Sequence, residues 1–162
     1  MFQDEGRFGT MTTLSRAWAE KGRPFVVKAK QGRENVHTYF AVDPKRGEAL
    51  LFINPLVNTE TMSSFLSEVK EAFPKRKILM FLDQAGWHTA KKLAVPRAIT
   101  ISYLPPRSPE LNPVELLWRH VRQEVMHNRV FDSLAEVLDA LDEALMGLGS
   151  DDLKRICACG YL

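Results

Sequence analysis

Ile78-Leu79-Met80-Phe81-Leu82-Asp83 is an unbroken apolar run closed by a carboxylate. Such a run is expected of a strand buried on both faces, and the acid after it lies at a strand's C-terminal end, where open α/β sheets place their sites. Residues 99–104 (ITISYL) form another strand, with a short helix expected between the two over 89–93. Upstream, Met62, Phe65, Leu66, Val69 and Phe73 recur at helical spacing after a cap at Asn58 or Thr59, and Pro74 stops that helix. Before it lie 36–42 (VHTYFAV) and 48–53 (EALLFI), a hairpin joined by the turn Asp43-Pro44-Lys45-Arg46-Gly47. Residues 2–8 (FQDEGRF) open the chain as a short strand.

Beyond the last strand, a rigid loop over 105–113 holds four prolines. A helix over 113–127 has Asn112 as cap, Pro113 at its first position, Glu115 at its third, and Val114, Leu117, Trp118 and Val121 on its apolar side. A final helix over 134–146 is capped by Ser133, with Glu136 three residues later and a buried stripe of Leu134, Val137, Leu138, Leu141 and Leu145. The order β-β-β-α-β-α-β-α-α predicts an α/β fold: a five-stranded mixed sheet, antiparallel at its hairpin start and parallel thereafter, flanked by helices. No Gly-rich turn follows the first strand, which excludes a dinucleotide-binding reading.

The 162 residues, 45% hydrophobic and 26% charged, suit one globular domain. A net charge of +2 makes no general case for nucleic-acid binding, so any such role must come from a local site. No apolar run spans a membrane and no secretory segment opens the chain, so no membrane partner is expected and the cytoplasm is the expected compartment. Cys157 and Cys159 lack further soft ligands at metal spacing and read as reduced thiols.

Asp4, Asp83 and Glu115 sit where a metal site would want them. If the first and fourth strands are neighbours, Asp4 and Asp83 face each other and the helix start brings Glu115 to them. Cutting a phosphodiester needs an activated water and a stabilised leaving oxygen, which two hard cations supply together. Magnesium prefers carboxylate oxygens and needs few protein ligands. Each acid also has a plain structural reading: Asp83 as a turn residue, Glu115 as the capping-box partner of Asn112, Asp4 as a solvent-facing acid. Asp4 and Glu5 are adjacent on a strand, so only one of them enters the site.

The words around these acids are more specific. Phe2-Gln3-Asp4-Glu5-Gly6-Arg7-Phe8, then Leu82-Asp83-Gln84-Ala85-Gly86-Trp87-His88-Thr89, then Leu104-Pro105-Pro106-Arg107-Ser108-Pro109-Glu110-Leu111-Asn112-Pro113-Val114-Glu115 occur in that order, with Glu115 following Asp83 by 32 positions. Together they resemble the DDE domain of bacterial insertion-sequence transposases in the mariner superfamily. The resemblance implies a ribonuclease-H-like fold and assigns metal binding and catalysis to Asp4, Asp83 and Glu115. It implies two Mg²⁺, with Mn²⁺ as a substitute, and no small-molecule cofactor. The implied activity is DNA cleavage at transposon ends and strand transfer into target DNA, carried out by a homodimer. Gln84 stands where the family usually has Asn. Family members carry helix-turn-helix domains ahead of the catalytic domain. Because this chain begins three residues before Asp4, those domains are expected to be absent, the first strand shortened and prone to fraying, and 1–162 a single catalytic domain. Two other readings share the fold: a silent remnant that only binds DNA or dimerises, and a nuclease acting on RNA–DNA hybrids.

His88, Arg107, Arg119 and Arg122 are candidate DNA contacts, weighed against a loop histidine and solvated arginines. The basic stretch Lys21, Arg23, Lys28, Lys30 and Arg33 is a candidate DNA-contacting loop. His120, Glu124 and His127 lack the spacing of a helical zinc motif, and Trp87 and Trp118 read as anchors within the fold.

Overall fold

The computed structural model describes residues 1–23 and 26–161. Strands β1 (Phe2–Gly9), β2 (Asn35–Asp43), β3 (Glu48–Asn54), β4 (Ile78–Leu82) and β5 (Ile99–Tyr103) form one sheet in the order β3-β2-β1-β4-β5. β2 runs antiparallel to both β1 and β3, and β4 runs parallel to both β1 and β5. The hairpin turns on Gly47, whose φ of 65° suits a residue without Cβ and whose N–H donates to the Asp43 carbonyl at 2.8 Å.

Strand alternation builds two cores from one sheet. Tyr39 and Ala41 of β2, with Met80 and Leu82 of β4, meet Met62, Phe65, Leu66 and Val69 of helix α1 (Thr59–Ala72). Phe2 and Phe8 of β1, with Phe40 and Val42 of β2, meet the opposite layer: α2 (Pro113–Val121), α3 (Leu134–Met146) and α4 (Ser150–Ile156). Trp118 of α2 is the centre of that layer, edge-on to Phe8 at 5.6 Å and to Phe40 at 5.8 Å. The side chain of Asn58 caps α1, accepting from the Thr61 N–H at 2.8 Å, and Ser133 caps α3. No helix among the described residues is long and apolar enough to cross a membrane.

Four local features differ from the sequence-based expectation. The run Ile78–Leu82 is fully buried only on its α1 side, and Leu79 is 49% exposed. α2, α3 and α4 cluster against β1 to β3 and leave the outer half of the other face uncovered. Residues 89–93 form turns and no helix, because the segment has no apolar stripe to offset the cost of nucleation. Helix α2 stops at Val121, and a π-turn (Arg122–Met126) carries the chain to His127. Helix α4 was not anticipated. Its signals are short but present: Asp151 and Asp152 in the first turn, Lys154 and Arg155 in the last, and the Asp152 carboxylate accepting from the Gly149 N–H at 3.2 Å.

The chain start is tied to β4 by two hydrogen bonds. The Met1 amine donates to the Leu79 carbonyl at 2.8 Å, and the Phe81 N–H donates to the Met1 carbonyl at 2.9 Å. Among the described residues of the long connection from β1 to β2, Trp18 is wholly exposed.

Gly6 is the position on which the β1–α2 contact turns. A Cβ there would lie 2.6 Å from the Phe8 ring, 2.7 Å from the Thr38 hydroxyl and 3.1 Å from the Trp118 indole. Gly6→Ala therefore forces the helix off the strand. We expect it to lower unfolding free energy by roughly 1–3 kcal/mol, the usual cost of overpacking a filled core, measured by urea denaturation.

Candidate active site

Three elements deliver three carboxylates to one place. The parallel register pairs Phe2 with Phe81, which sets Asp4 level with Asp83 just past the end of β4. Helix α2 brings Glu115 in its first turn. Its entry is fixed by Asn112, which is buried and works in two directions. Its side-chain oxygen accepts from the Val114 N–H at 3.2 Å, and its amide donates to the Gln3 carbonyl of β1 at 2.9 Å. Asp4, Asp83 and Glu115 then line a single cleft of about 350 Å³, together with Gln84, Asn112 and the proline loop from Leu104 to Pro109.

The electrostatics of this cleft are unfavourable without a cation. Burial pushes the Asp4 carboxyl up to about 8, and repulsion from Glu115, Glu5 and Asp83 adds to it. Asp4 Oδ2 accepts one hydrogen bond, from the Trp118 indole at 3.1 Å. Asp83 is held below the usual carboxylate range, chiefly by His88 and further by the Ala85 N–H. Glu115 takes no capping-box role: its carboxylate makes no hydrogen bond among the described residues, while its N–H donates to the Asn112 carbonyl at 3.0 Å. The donor set is hard oxygen throughout, which suits Mg²⁺ or Mn²⁺. No group of three or more His, Cys, Asp or Glu side chains among the described residues already stands at metal-holding distance. The cleft therefore fits a cation that keeps most of its waters and takes one or two carboxylates, as Mg²⁺ commonly does.

A family profile described as DDE superfamily endonuclease matches residues 1–138. The chain belongs to that family. It is 39% identical over 103 residues to an uncharacterized protein, y4pE/y4sA, of Sinorhizobium fredii (strain NBRC 101917 / NGR234), covering 63% of this chain and 76% of that protein. Among solved structures it is similar to a pre-cleavage Mos1 transpososome (TM-score 0.72, 16% identity, 96% of this chain and 51% of that one). It is also similar to the Mos1 mariner paired-end complex with Mn (TM-score 0.68, 20% identity, 96% and 50%). These likenesses show the ribonuclease-H-like fold, and the chain spans about half the length of each of those two solved chains.

The other candidate residues divide. Arg107 lines the cleft from the proline loop, in the left-handed region at φ 58°, an uncommon conformation for a residue with a Cβ. His88 is not a surface DNA contact. It is 1% exposed, with Nδ1 donating to Asp83 Oδ1 at 2.7 Å and Nε2 donating to Glu5 Oε1 at 2.9 Å. Burial alone would lower its pKa, but the two carboxylates outweigh it and raise the imidazole to about 9. Arg119 is exposed and lies outside the cleft lining. Gln84, in the cleft lining, donates to the Leu104 carbonyl at 3.0 Å and braces the proline loop. Lys30 is committed to the Phe131 and Asp132 carbonyls at 3.3 and 3.0 Å, and Arg23 to Glu20.

Arg122 lies in a second groove of about 420 Å³, lined also by Arg7, Arg33 and Glu34. The groove is reached along both elements that carry the acids. Trp118 packs at Gly6 and Asp4, and the Arg122 guanidinium sits over the Phe8 ring at 5.8 Å, so α2 and β1 run side by side in the same direction. Arg7 lies three residues beyond Asp4, on the face of β1 that carries Glu5, and Arg122 seven beyond Glu115. Either count gives roughly 10 Å from cleft to groove, by the rise of a strand and of a helix.

The pKa directions fix a pH dependence. Asp4, ordinarily near 3.8, sits near 8 in the fold, so the folded state holds an extra proton between those values and loses stability as pH rises through them. The stability from His88 is full below its ordinary 6.5 and is lost as pH rises through about 9. In EDTA, the melting temperature should fall from about pH 6 to about pH 9. Asp4→Asn should raise it by at least ~2–4 °C at about pH 8, the shift that about 1 kcal/mol gives a chain of this size. The variant should also lose the stabilisation by Mg²⁺ expected of wild type.

Proposed function

We propose that this chain is a transposase catalytic domain that cleaves DNA phosphodiester bonds with divalent cations and transfers the freed strand to target DNA. The observation that carries the reading is the convergence of Asp4, Asp83 and Glu115, from a strand, a strand end and a helix start, on one cleft that Arg107 also lines. Family membership supports an endonuclease, and the similar mariner Mos1 paired-end complexes were solved with Mn and with Mg. Bound at the three acids, two cations would activate the attacking water and stabilise the leaving oxygen. Asp4, Asp83 and Glu115 are the residues that would hold them. Asp4 must give up its proton for this, and the cation's charge favours that loss.

In the cleavage step the water oxygen bonds to phosphorus, the bond from phosphorus to the 3′ oxygen breaks, and the strand is left with a free 3′-hydroxyl and a 5′-phosphate. In transfer, that hydroxyl attacks a target phosphodiester and displaces its 3′ oxygen. No covalent bond to the protein forms. Arg107 is placed to grip the reacting phosphate, since a guanidinium offers paired donors to phosphate oxygens. The DNA backbone would continue along β1 and α2 into the Arg7, Arg33 and Arg122 groove. Two copies would act on paired transposon ends.

Relaxation of supercoiled plasmid tests the chemistry. Wild type should nick in Mg²⁺ or Mn²⁺ and not in EDTA, and Asp83→Asn should match the protein-free control. Equal nicking by both proteins identifies a contaminant, and no nicking by either leaves a fold without the activity. An RNA–DNA hybrid assayed alongside reports substrate class. For the DNA path, replacing Arg7, Arg33 and Arg122 together with Ala should weaken duplex binding. It should also reduce the slope of log K against log salt by up to about 3, one phosphate contact per arginine. An unchanged slope removes the groove from the path.

A further inference from the structure

The residue after Asp4 on β1 faces the other side of the sheet, and the cation reading leaves it unused. Glu5 Oε1 accepts three hydrogen bonds: from Gln3 Nε2 at 3.0 Å, Trp87 Nε1 at 3.3 Å and His88 Nε2 at 2.9 Å. Its side chain is 10% exposed and that of His88 is 1% exposed. The other imidazole nitrogen reaches Asp83 Oδ1 at 2.7 Å, where the Ala85 N–H also donates at 2.9 Å. The Tyr103 hydroxyl donates to the His88 carbonyl at 2.9 Å and fastens the same loop to β5. One oxygen of Asp83 is therefore held by two donors. The other, Oδ2, has no protein donor among the described residues, on a side chain that is 57% exposed and lines the cleft.

We propose that Glu5 and His88 are positioning residues: a Glu5–His88–Asp83 chain of hydrogen bonds clamps one oxygen of Asp83 and leaves the other presented to the cleft for a cation. This rests on the reading of Asp83 as a cation ligand. The chain begins on the α1 side of the sheet, in the buried contact of Glu5 with His88, and ends at the site. Its last bond has little to do for the fold, because an ion pair whose carboxylate is more than half exposed contributes little stability. It has much to do for binding. A carboxylate at a strand end loses rotational freedom when it takes a cation, and a clamp in place beforehand removes that cost. Hydrogen-bond partners of this kind, one step behind a ligand, are typically worth about 10–100-fold in metal affinity.

The test is Mn²⁺ affinity by electron paramagnetic resonance titration of free ion, with thermal unfolding confirming that each variant folds. Two amides separate the two ends of the imidazole. His88→Asn keeps an N–H donor near the Nδ1 position, and His88→Gln keeps one near the Nε2 position. His88→Gln, which loses the Asp83 bond, should weaken Mn²⁺ about 10–100-fold. His88→Asn should bind closer to wild type although it loses the Glu5 bond. Glu5→Ala should weaken binding by a smaller factor, and Glu5→Gln, which still accepts, should recover most of it. Asp83→Asn calibrates the parent reading. If Asp83→Asn weakens Mn²⁺ while folded His88→Gln binds as wild type, or binds no worse than His88→Asn, the positioning proposal is overturned alone. If Asp83→Asn binds as wild type, or wild type binds no Mn²⁺, both readings fall. Should His88→Gln not fold, wild-type affinity in Glu5→Ala overturns the proposal.

Discussion

Two adjacent carboxylates on a strand are forced to opposite faces of the sheet, and on β1 that alternation governs everything near the cleft. Asp4 is turned toward α2, into a low-dielectric corner against Trp118 where ionisation is costly. Glu5 is turned toward the loop after β4, where three donors meet one of its oxygens. One acid accepts a single side-chain donor and the other accepts three on one oxygen, although both are carboxylates. The contrast comes from the neighbours that each face supplies.

Burying like charges near one another is tolerable only if something offsets the repulsion. On the α2 side a proton does this for Asp4 at neutral pH, and a divalent cation is the natural replacement. On the other side the His88 imidazolium, shared between Glu5 and Asp83, does it below about pH 9. The protein thus supplies its own cation between Glu5 and Asp83, and in the proposed reading the free oxygen of Asp83 joins Asp4 and Glu115 at an exchangeable one. Gly6 and Asn112 hold this division in place. One lets the indole approach the strand closely, and the other ties the helix entrance to the Gln3 carbonyl.

How much of this was legible in the sequence follows from what each signal depends on. Strand and helix periodicity, the caps at Asn58, Asn112 and Ser133, and the hairpin turn are local, and the structure agrees with them. The shared cleft of Asp4, Asp83 and Glu115 follows from strand order, which a hairpin start and later parallel strands constrain strongly. The burial of Leu79 depends on where distant helices choose to pack, and no pattern within the strand reports that. His88 was legible as a polar loop residue near an acid but not as a buried bridge. Its partner Glu5 lies 83 positions away, and the clue was the pair of adjacent acids on β1. Arg122 was read as a neighbour of Glu115 on one helix. Its actual companions, Arg7 and Arg33, come from β1 and the arm that follows it.

The parallel run of α2 beside β1 has a consequence for how such a chain tolerates changes of length. A helix advances by about 1.5 Å and a strand by about 3.3 Å per residue, so the two elements act like scales of different pitch that coincide at the acids and again near the arginines. One residue gained or lost between Asp4 and Phe8 reverses the faces of the strand, and one between Glu115 and Arg122 swings the helix by about 100°. Either slip breaks the coincidence at one end while leaving it intact at the other. The connection after β1 pairs with itself, Thr10 and Thr12 donating to the Glu34 and Lys30 carbonyls, so a change of length between those pairs leaves both scales in register.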